Sequence, residues 1–244
     1  MSLYDNIAEF YDEIFPLKET RLSFVDSFLS KNDLTVLDIG CATGELALAL
    51  SRKGHHVMGI DLDGKMVKLA RQKTKKTGLK AEFFIKDMAK IGIDFPSAYF
   101  DVVLCLGNTL VHLESLKKIE QFLIAIGKVL KMGGMVIIQI VNYDRILSDG
   151  IKELPLLENE KFIFRREYHD NGAAHLIHFL TYLTLKESGQ VIKNSETLYP
   201  LTFRELNHAL MDAGFSDFQF FGNENKTAYE KKSPALIVIG KKVD

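Results

Sequence analysis

The chain has 244 residues, 47% of them hydrophobic, with 31 Lys and Arg against 32 Asp and Glu. That size and apolar content suit one large domain, or one domain carrying an insertion. The near-neutral balance argues against a nucleic-acid surface, which carries a basic excess, and no run approaches the ~18 apolar residues of a membrane span.

The start, Met1 to Asp12, carries Asp5, Glu9 and Asp12 and lacks an apolar signal core. It reads as the start of a soluble, cytoplasmic protein. Residues 4–15 place Tyr4, Ile7, Ala8 and Tyr11 on one helical face, and 18–31 form a second helix with the stripe Leu22, Val25, Phe28 and Leu29. Val36 to Ile39 then reads as a short apolar strand. A tight turn, Gly40-Cys41-Ala42-Thr43-Gly44, leads into an amphipathic helix that begins at Glu45 and runs to about Lys53. The free N–H groups and the positive dipole end of that helix make a landing place for a nucleoside bearing an anionic group.

After the strand His56-Val57-Met58-Gly59-Ile60 comes Asp61, placed to hydrogen-bond both hydroxyls of a ribose. Asp63 caps the next helix, which buries Met66, Leu69 and Ala70, and Gly78 ends it. Lys73, Lys75 and Lys76 read as that helix's solvated face. A third strand, Ala81 to Ile85, leads to Lys86-Asp87-Met88, and a fourth, Phe100 to Leu106, is apolar enough to be buried on both sides. It ends in the loop 107–113, which faces the ligand if the sheet is an open α/β sheet. Ser115 starts a helix with Leu116, Ile119, Phe122, Leu123, Ile126 and Val129 at helical spacing, and Met132-Gly133-Gly134 turns into a fifth strand, Met135 to Val141.

Beyond Asn142-Tyr143-Asp144 the period changes to two. Phe162, Phe164, Arg166 and Tyr168 alternate, Asp170-Asn171-Gly172 reads as a hairpin turn, and Leu176 to Leu185 and Val191 to Tyr199 follow as strands. Thr202 and Glu205 form a capping box for a helix closed by Gly214, and Phe215–Phe221 and Ala235–Lys241 are the last two strands. The expected division is residues 1–141 as N-terminal helices and cofactor-binding core, 142–200 as an antiparallel insertion serving as substrate lid or oligomer contact, and 201–244 completing the core sheet. Cys41 and Cys105 sit in or at the ends of core strands, as small buried residues and not as a disulfide or metal pair; no metal site is read.

Two ligands suit the first loop. A dinucleotide fingerprint needs G-x-G-x-x-G for close approach to a pyrophosphate. Here the pattern is G-x-A-x-G, flanked by Asp38 and Glu45. Such an acidic pair repels a pyrophosphate and suits an ammonium or sulfonium group, so the loop chemistry favours S-adenosylmethionine.

The stretch 37–44, LDIGCATG, resembles the first motif of the class I S-adenosylmethionine-dependent methyltransferases, and the resemblance extends over Tyr4 to Leu147 and about residues 205–244. It implies an α/β fold: a doubly wound, seven-stranded, Rossmann-like methyltransferase sheet, here with an antiparallel β insertion after the fifth strand. It implies S-adenosylmethionine as cofactor and S-adenosylhomocysteine as product. The expected contacts are Asp38, Gly40, Cys41, Ala42 and Gly44 in the first loop, Asp61, Leu62 and Met66 around the second, and Leu106 and Gly107 after the fourth strand. By matching position Asp87 takes the adenine amino group and Met88 the ring. Tyr11 is either a core residue or an aromatic contact to the sulfonium, and Arg21 is a partner for the methionine carboxylate. His112, beside the methyl site, is the candidate general base or else a histidine packed in its loop.

The motifs Leu104-Cys105-Leu106-Gly107-Asn108 with His112-Leu113, and Asn142-Tyr143-Asp144, look like the glycine N-methyltransferase group. In that group the asparagine helps hold the amino-acid substrate, a role falling to Asn108. The group's carboxylate-binding arginine before the NYD sequence is here Val141; Arg145, Arg165 or Arg166 are the candidate substitutes. The expected partner is a small-molecule methyl acceptor at nitrogen or oxygen, with no nucleic acid and no membrane, and a homodimer is left open. The competing readings are a non-catalytic cofactor-binding relative and a nicotinamide-dependent reductase. Glu45 in place of a third glycine and the antiparallel carboxyl end count against the latter.

Overall fold

A computed structural model of the chain describes residues 7–29, 31–170 and 175–243. Tyr4, and Asn171 and Gly172 of the expected hairpin turn, lie outside them. In chain order, a 3-10 turn at Ala8–Phe10 leads into α1 (Tyr11–Ile14), followed by α2 (Glu19–Asp26), β1 (Thr35–Ile39), α3 (Glu45–Arg52), β2 (His56–Asp61), α4 (Gly64–Thr77) and β3 (Glu82–Ile85). Next come α5 (Ile91–Asp94), β4 (Phe100–Cys105), α6 (Leu116–Val129), β5 (Leu130–Val141), α7 (Tyr143–Ser148), β6 (Leu157–Glu158), β7 (Phe162–Asp170), β8 (Ile177–Leu185) and β9 (Val191–Leu198). The chain closes with α8 (Phe203–Asp212), β10 (Phe215–Phe221) and β11 (Ala235–Lys242).

The main sheet has seven strands in the order β10-β11-β5-β4-β1-β2-β3. β1 to β5 are parallel, and β11 runs antiparallel to β5 and to β10. Side chains alternate across the sheet, as the two-residue period of a strand requires. Leu37, Ile39, Val103 and Cys105 face the core under α6 and α8, whereas Val36, Val102, Leu104 and Ile137 face the core under α2, α3 and α4. Burial on both faces explains the unbroken apolar runs in these strands. The order reverses between β1 and β4, and at such a reversal a crevice opens at the carboxyl ends of the strands.

A second, antiparallel sheet, β6-β7-β8-β9, lies in sequence between β5 and α8. Its inner face joins two parts of the molecule. Phe162, Phe164 and Leu183 pack on Ile7 and Ile14, while Tyr168, Ile177 and Leu198 enter the core shared with α6.

Several elements differ from the sequence expectation. The first helix is a 3-10 turn plus one short helix, and the second stops at Asp26. β5 begins at Leu130, with Met132-Gly133-Gly134 absorbed as a bulge between the pairs Phe100–Leu130 and Val102–Met135. The short α5, α7 and β6 escape a periodicity reading because each is too brief to show a period. Lys73 is not simply solvated: its ammonium meets Asp12 at 2.5 Å and Glu45 at 2.6 Å. Asp12 also accepts from the Thr43 hydroxyl, so it ties the N-terminal segment to the first loop. Among the described residues no helix is long and apolar enough to cross a membrane.

Asn142-Tyr143-Asp144 forms a knot at the end of β5. Asn142, 1% exposed, donates to the carbonyls of Lys231 and Ser233, both at 2.9 Å, and accepts from the Tyr229 hydroxyl at 3.0 Å. Asp144 takes the Phe203 N–H at 2.7 Å and so fixes the start of α8. Removing a buried donor strands the carbonyls it served. Asn142→Ala should therefore cost about 1–3 kcal/mol in urea unfolding, and an unchanged midpoint would show that the knot is dispensable.

Candidate active site

The carboxyl ends of β1, β2 and β4 open into a cavity of about 630 Å³, within the range of roughly 300–1,000 Å³ typical of small-molecule sites. Backbone in the left-handed region concentrates at its edge. Gly40, Ala42 and Gly44 leave β1 with φ of 71°, 48° and 81°, and Gly107 and Asn108 leave β4 with φ of 70° and 71°. Such conformations are sparsely populated and are held by their surroundings. Gly40 lies on the wall, and the Thr109 hydroxyl occupies the place a Cβ would need. Gly44 heads α3 but is not on the wall; a Cβ there would stand 2.6 Å from the Phe83 ring, so its glycine serves packing.

Ala42 has no glycine's licence for its φ, and one bond helps hold it. Its N–H donates to Asp61 Oδ2 at 2.9 Å, while Asp61 Oδ1 takes the Asp63 N–H, also at 2.9 Å. Burial pushes the Asp61 carboxyl above the usual range against the pull of these donors. Each oxygen keeps lone-pair capacity for a hydroxyl donor from the cavity. Asp87 caps the 3-10 turn Met88–Lys90 by taking the Ala89 N–H at 2.9 Å on one oxygen, and it lines the cavity together with Met88.

The structure brings Tyr11, Gly40, Ala42, Asp61, Leu62, Asp87, Met88, Leu106, Gly107 and His112 to this one wall. Burial lowers the His112 imidazole pKa, with the Glu114 charge opposing, and raises that of the Tyr11 hydroxyl, with Asp61 adding to the rise.

Other expected contacts lie off the wall. Asp38 is 4% exposed, on the side of β1 that faces α3, and its carboxyl is pushed up to about 7 by burial and then by Asp61, against the pull of Arg21. The Cys41 thiol packs over Gly59, and Met66 is fully buried beneath Ala42 with Ala8. The Arg21 guanidinium pairs with Glu224 at 2.6 Å. Asn108 spends both ends of its amide inside the protein: Nδ2 donates to the Tyr143 hydroxyl and Oδ1 accepts from the Val141 N–H, both at 3.0 Å. It holds the end of β5 and does not line the cavity, because its left-handed backbone turns the side chain toward β5.

Sequence reasoning missed Thr109 and Glu196, both on the wall. The position of Thr109 in the loop after β4 was a usable signal. Glu196 alternates with exposed residues along β9 and looks solvated until the pairing of the second sheet places it. Among the described residues no His, Cys, Asp and Glu side chains group to hold a metal. The wall fits a nucleoside cation: glycine leaves backbone close to the cavity, Asp61 and Asp87 offer acceptors, and Tyr11 offers an aromatic face.

Residues 36–134 match a family model described as a methyltransferase domain. The chain is 24% identical to a protein of Geobacillus sp. (strain WCH70) named as a methyltransferase, over 98% of this chain and 99% of the relative. It is 33% identical to the glycine N-methyltransferase of Mus musculus over 125 residues, 47% of this chain and 43% of that enzyme, so it spans less than half of that relative's length. In fold it is similar to an S-adenosylmethionine-dependent methyltransferase from Clostridium acetobutylicum ATCC 824, with a TM-score of 0.82, 18% identity and 99% of each chain covered.

Two predictions follow from this geometry. Asp61→Ala should weaken S-adenosylmethionine binding by about 1.5–3 kcal/mol, roughly 10- to 150-fold in Kd by calorimetry; an unchanged Kd would remove Asp61 from the ribose. A carboxyl at about 7 in the fold against 3.8 in its ordinary state contributes stability that is complete below the lower value and lost as pH rises through the upper one. Asp38→Asn should therefore melt above the wild type at about pH 8, with the difference gone near pH 4. Parallel melting curves across that window would contradict it.

Proposed function

We propose that the chain is a class I S-adenosylmethionine-dependent methyltransferase, with S-adenosylmethionine as its cofactor, and that it methylates a nitrogen or oxygen of a small molecule. The observation that carries the reading is that the second sheet reaches the wall of the cavity. Glu196 of β9 stands on the same wall as His112 and Asp61. The Tyr199 N–H bonds the Val111 carbonyl at 2.9 Å and seats the second sheet against the loop 107–113. A concave cavity of about 630 Å³ suits a small acceptor better than a polymer. In this reading residues 142–200 serve as the acceptor-side lid.

When bound, S-adenosylmethionine supplies a methyl carbon made electrophilic by its sulfonium. Asp61, Asp87 and Met88 on the cavity wall would hold its nucleoside. What remains for the protein is alignment, exclusion of water and removal of one proton. The Asp61 clamp and the left-handed loops fix one partner. Tyr11 offers its ring face to positive charge. His112 takes the acceptor's proton, since burial keeps the imidazole neutral and basic at neutral pH. Asn108 acts indirectly, by holding the loop and the end of β5 in register.

His112→Ala should lower kcat by about 10²–10⁴-fold while leaving cofactor affinity within about threefold. In the wild type, kcat/KM should rise with pH through a pKa below 6.5 and stay level above it. A variant with wild-type kcat and the same pH profile would return His112 to a packing role.

A further inference from the structure

Among the described residues, the second sheet puts one side chain on the cavity wall, and that side chain is the acid Glu196 of β9. It stands on the inner face of β9 with Ile192 and Leu198, directly across from Phe179 of β8. Ile192, Leu198 and Phe179 all pack into apolar clusters. A carboxylate in such company carries a desolvation cost, which a cation brought to it offsets.

The other charges on the wall have tasks of their own. Asp61 takes the N–H groups of Ala42 and Asp63, Asp63 takes those of Lys65 and Met66, and Asp87 takes that of Ala89. The two lysines pair with acids off the wall, Lys86 with Asp94 at 3.2 Å and Lys118 with Glu114 at 3.9 Å. Negative charge therefore prevails in the cavity, which draws cations in and turns anions away.

The place of Glu196 along its strand says which part of a ligand it meets. Three residues on, the Tyr199 N–H bonds the carbonyl of Val111, next to His112. That is about 10 Å of extended chain, so Glu196 and the proposed base serve different ends of a bound molecule. Chemistry points the same way. A carboxylate at a reacting nitrogen would stabilise its protonated form and withhold the lone pair. An ionised carboxylate offers about four acceptor sites, so Glu196 can keep a protein neighbour and still receive an ammonium group.

We propose that Glu196 binds a cationic group of the methyl acceptor, an ammonium or guanidinium remote from the methylated atom, and so selects acceptors that carry one. It sets specificity and takes no part in proton transfer. The assignment of this ligand as the acceptor rests on the small-molecule reading above.

The test uses the full chain saturated with S-adenosylhomocysteine, with butylammonium and butanol as probes. Butylammonium should bind saturably in an NMR titration at constant ionic strength, and butanol should not. Glu196→Gln should abolish butylammonium binding and leave S-adenosylhomocysteine affinity unchanged. Acceptors are offered as pairs that differ by one ammonium group: tyramine with para-ethylphenol for oxygen, putrescine with butylamine for nitrogen. The member with the extra charge should be methylated in preference. Glu196→Gln should raise its KM by about 30-fold or more with kcat changed far less, and Glu196→Asp should recover part of the loss. Butylammonium binding that survives in Glu196→Gln, absence of that binding in the wild type, or equal turnover within the pairs would overturn the site. Binding that Glu196→Gln abolishes, without transfer to any acceptor, would uphold the cation site and count instead against the small-molecule methyltransferase reading.

Discussion

Both oxygens of Asp61 are engaged by backbone, one by Ala42 and one by Asp63. The first joins the loop after β1 to the end of β2, and the second fixes the loop after β2. Without them Ala42 would hold a left-handed conformation that costs an alanine about 1–2 kcal/mol, and the first loop would lack its tie to β2. The same carboxylate faces the cavity, so the group that sets the shape of the site also supplies its acceptor. Structure and binding are coupled through one side chain.

The electrostatics of this region are acidic and enclosed. Asp61 adds to the cost that burial puts on ionising Asp38, and Arg21, which also pairs with Glu224, opposes it. Positive charge brought in by a cofactor acts on this unfavourable pair directly. The antiparallel sheet shows a different imbalance, a buried Arg166 Nε–H without a hydrogen-bond partner. The two imbalances lie on different elements: the first belongs to the main sheet, and the second to the antiparallel sheet.

The main sheet was legible in the sequence because its strands are apolar on both faces and their ends are marked by Gly40, Asp61 and Asp87. The antiparallel sheet was legible as alternation, but its role was not. Alternation tells which residues share a face and leaves open what the face meets, so Glu196 and Thr181 read as ordinary strand residues until pairing set their neighbours. Proximity in sequence also misled in specific ways. Cys41 and Gly44 lie within the first loop, yet one side chain turns into the core and the other position answers to Phe83. Asn108 adjoins the cavity in sequence, but its amide is committed to Tyr143 and Val141. Motif spacing locates a loop; hydrogen bonds decide which way each residue points.

The most direct measurement is calorimetric titration of the full chain with S-adenosylmethionine, S-adenosylhomocysteine and NAD. A cavity built around Asp61 and an acidic first loop predicts micromolar binding of the first two and none of NAD, with affinity lowered roughly 10- to 150-fold in Asp61→Ala. Binding of NAD alone, or binding of S-adenosylmethionine that Asp61→Ala leaves intact, would contradict the assignment of this cavity as the cofactor site.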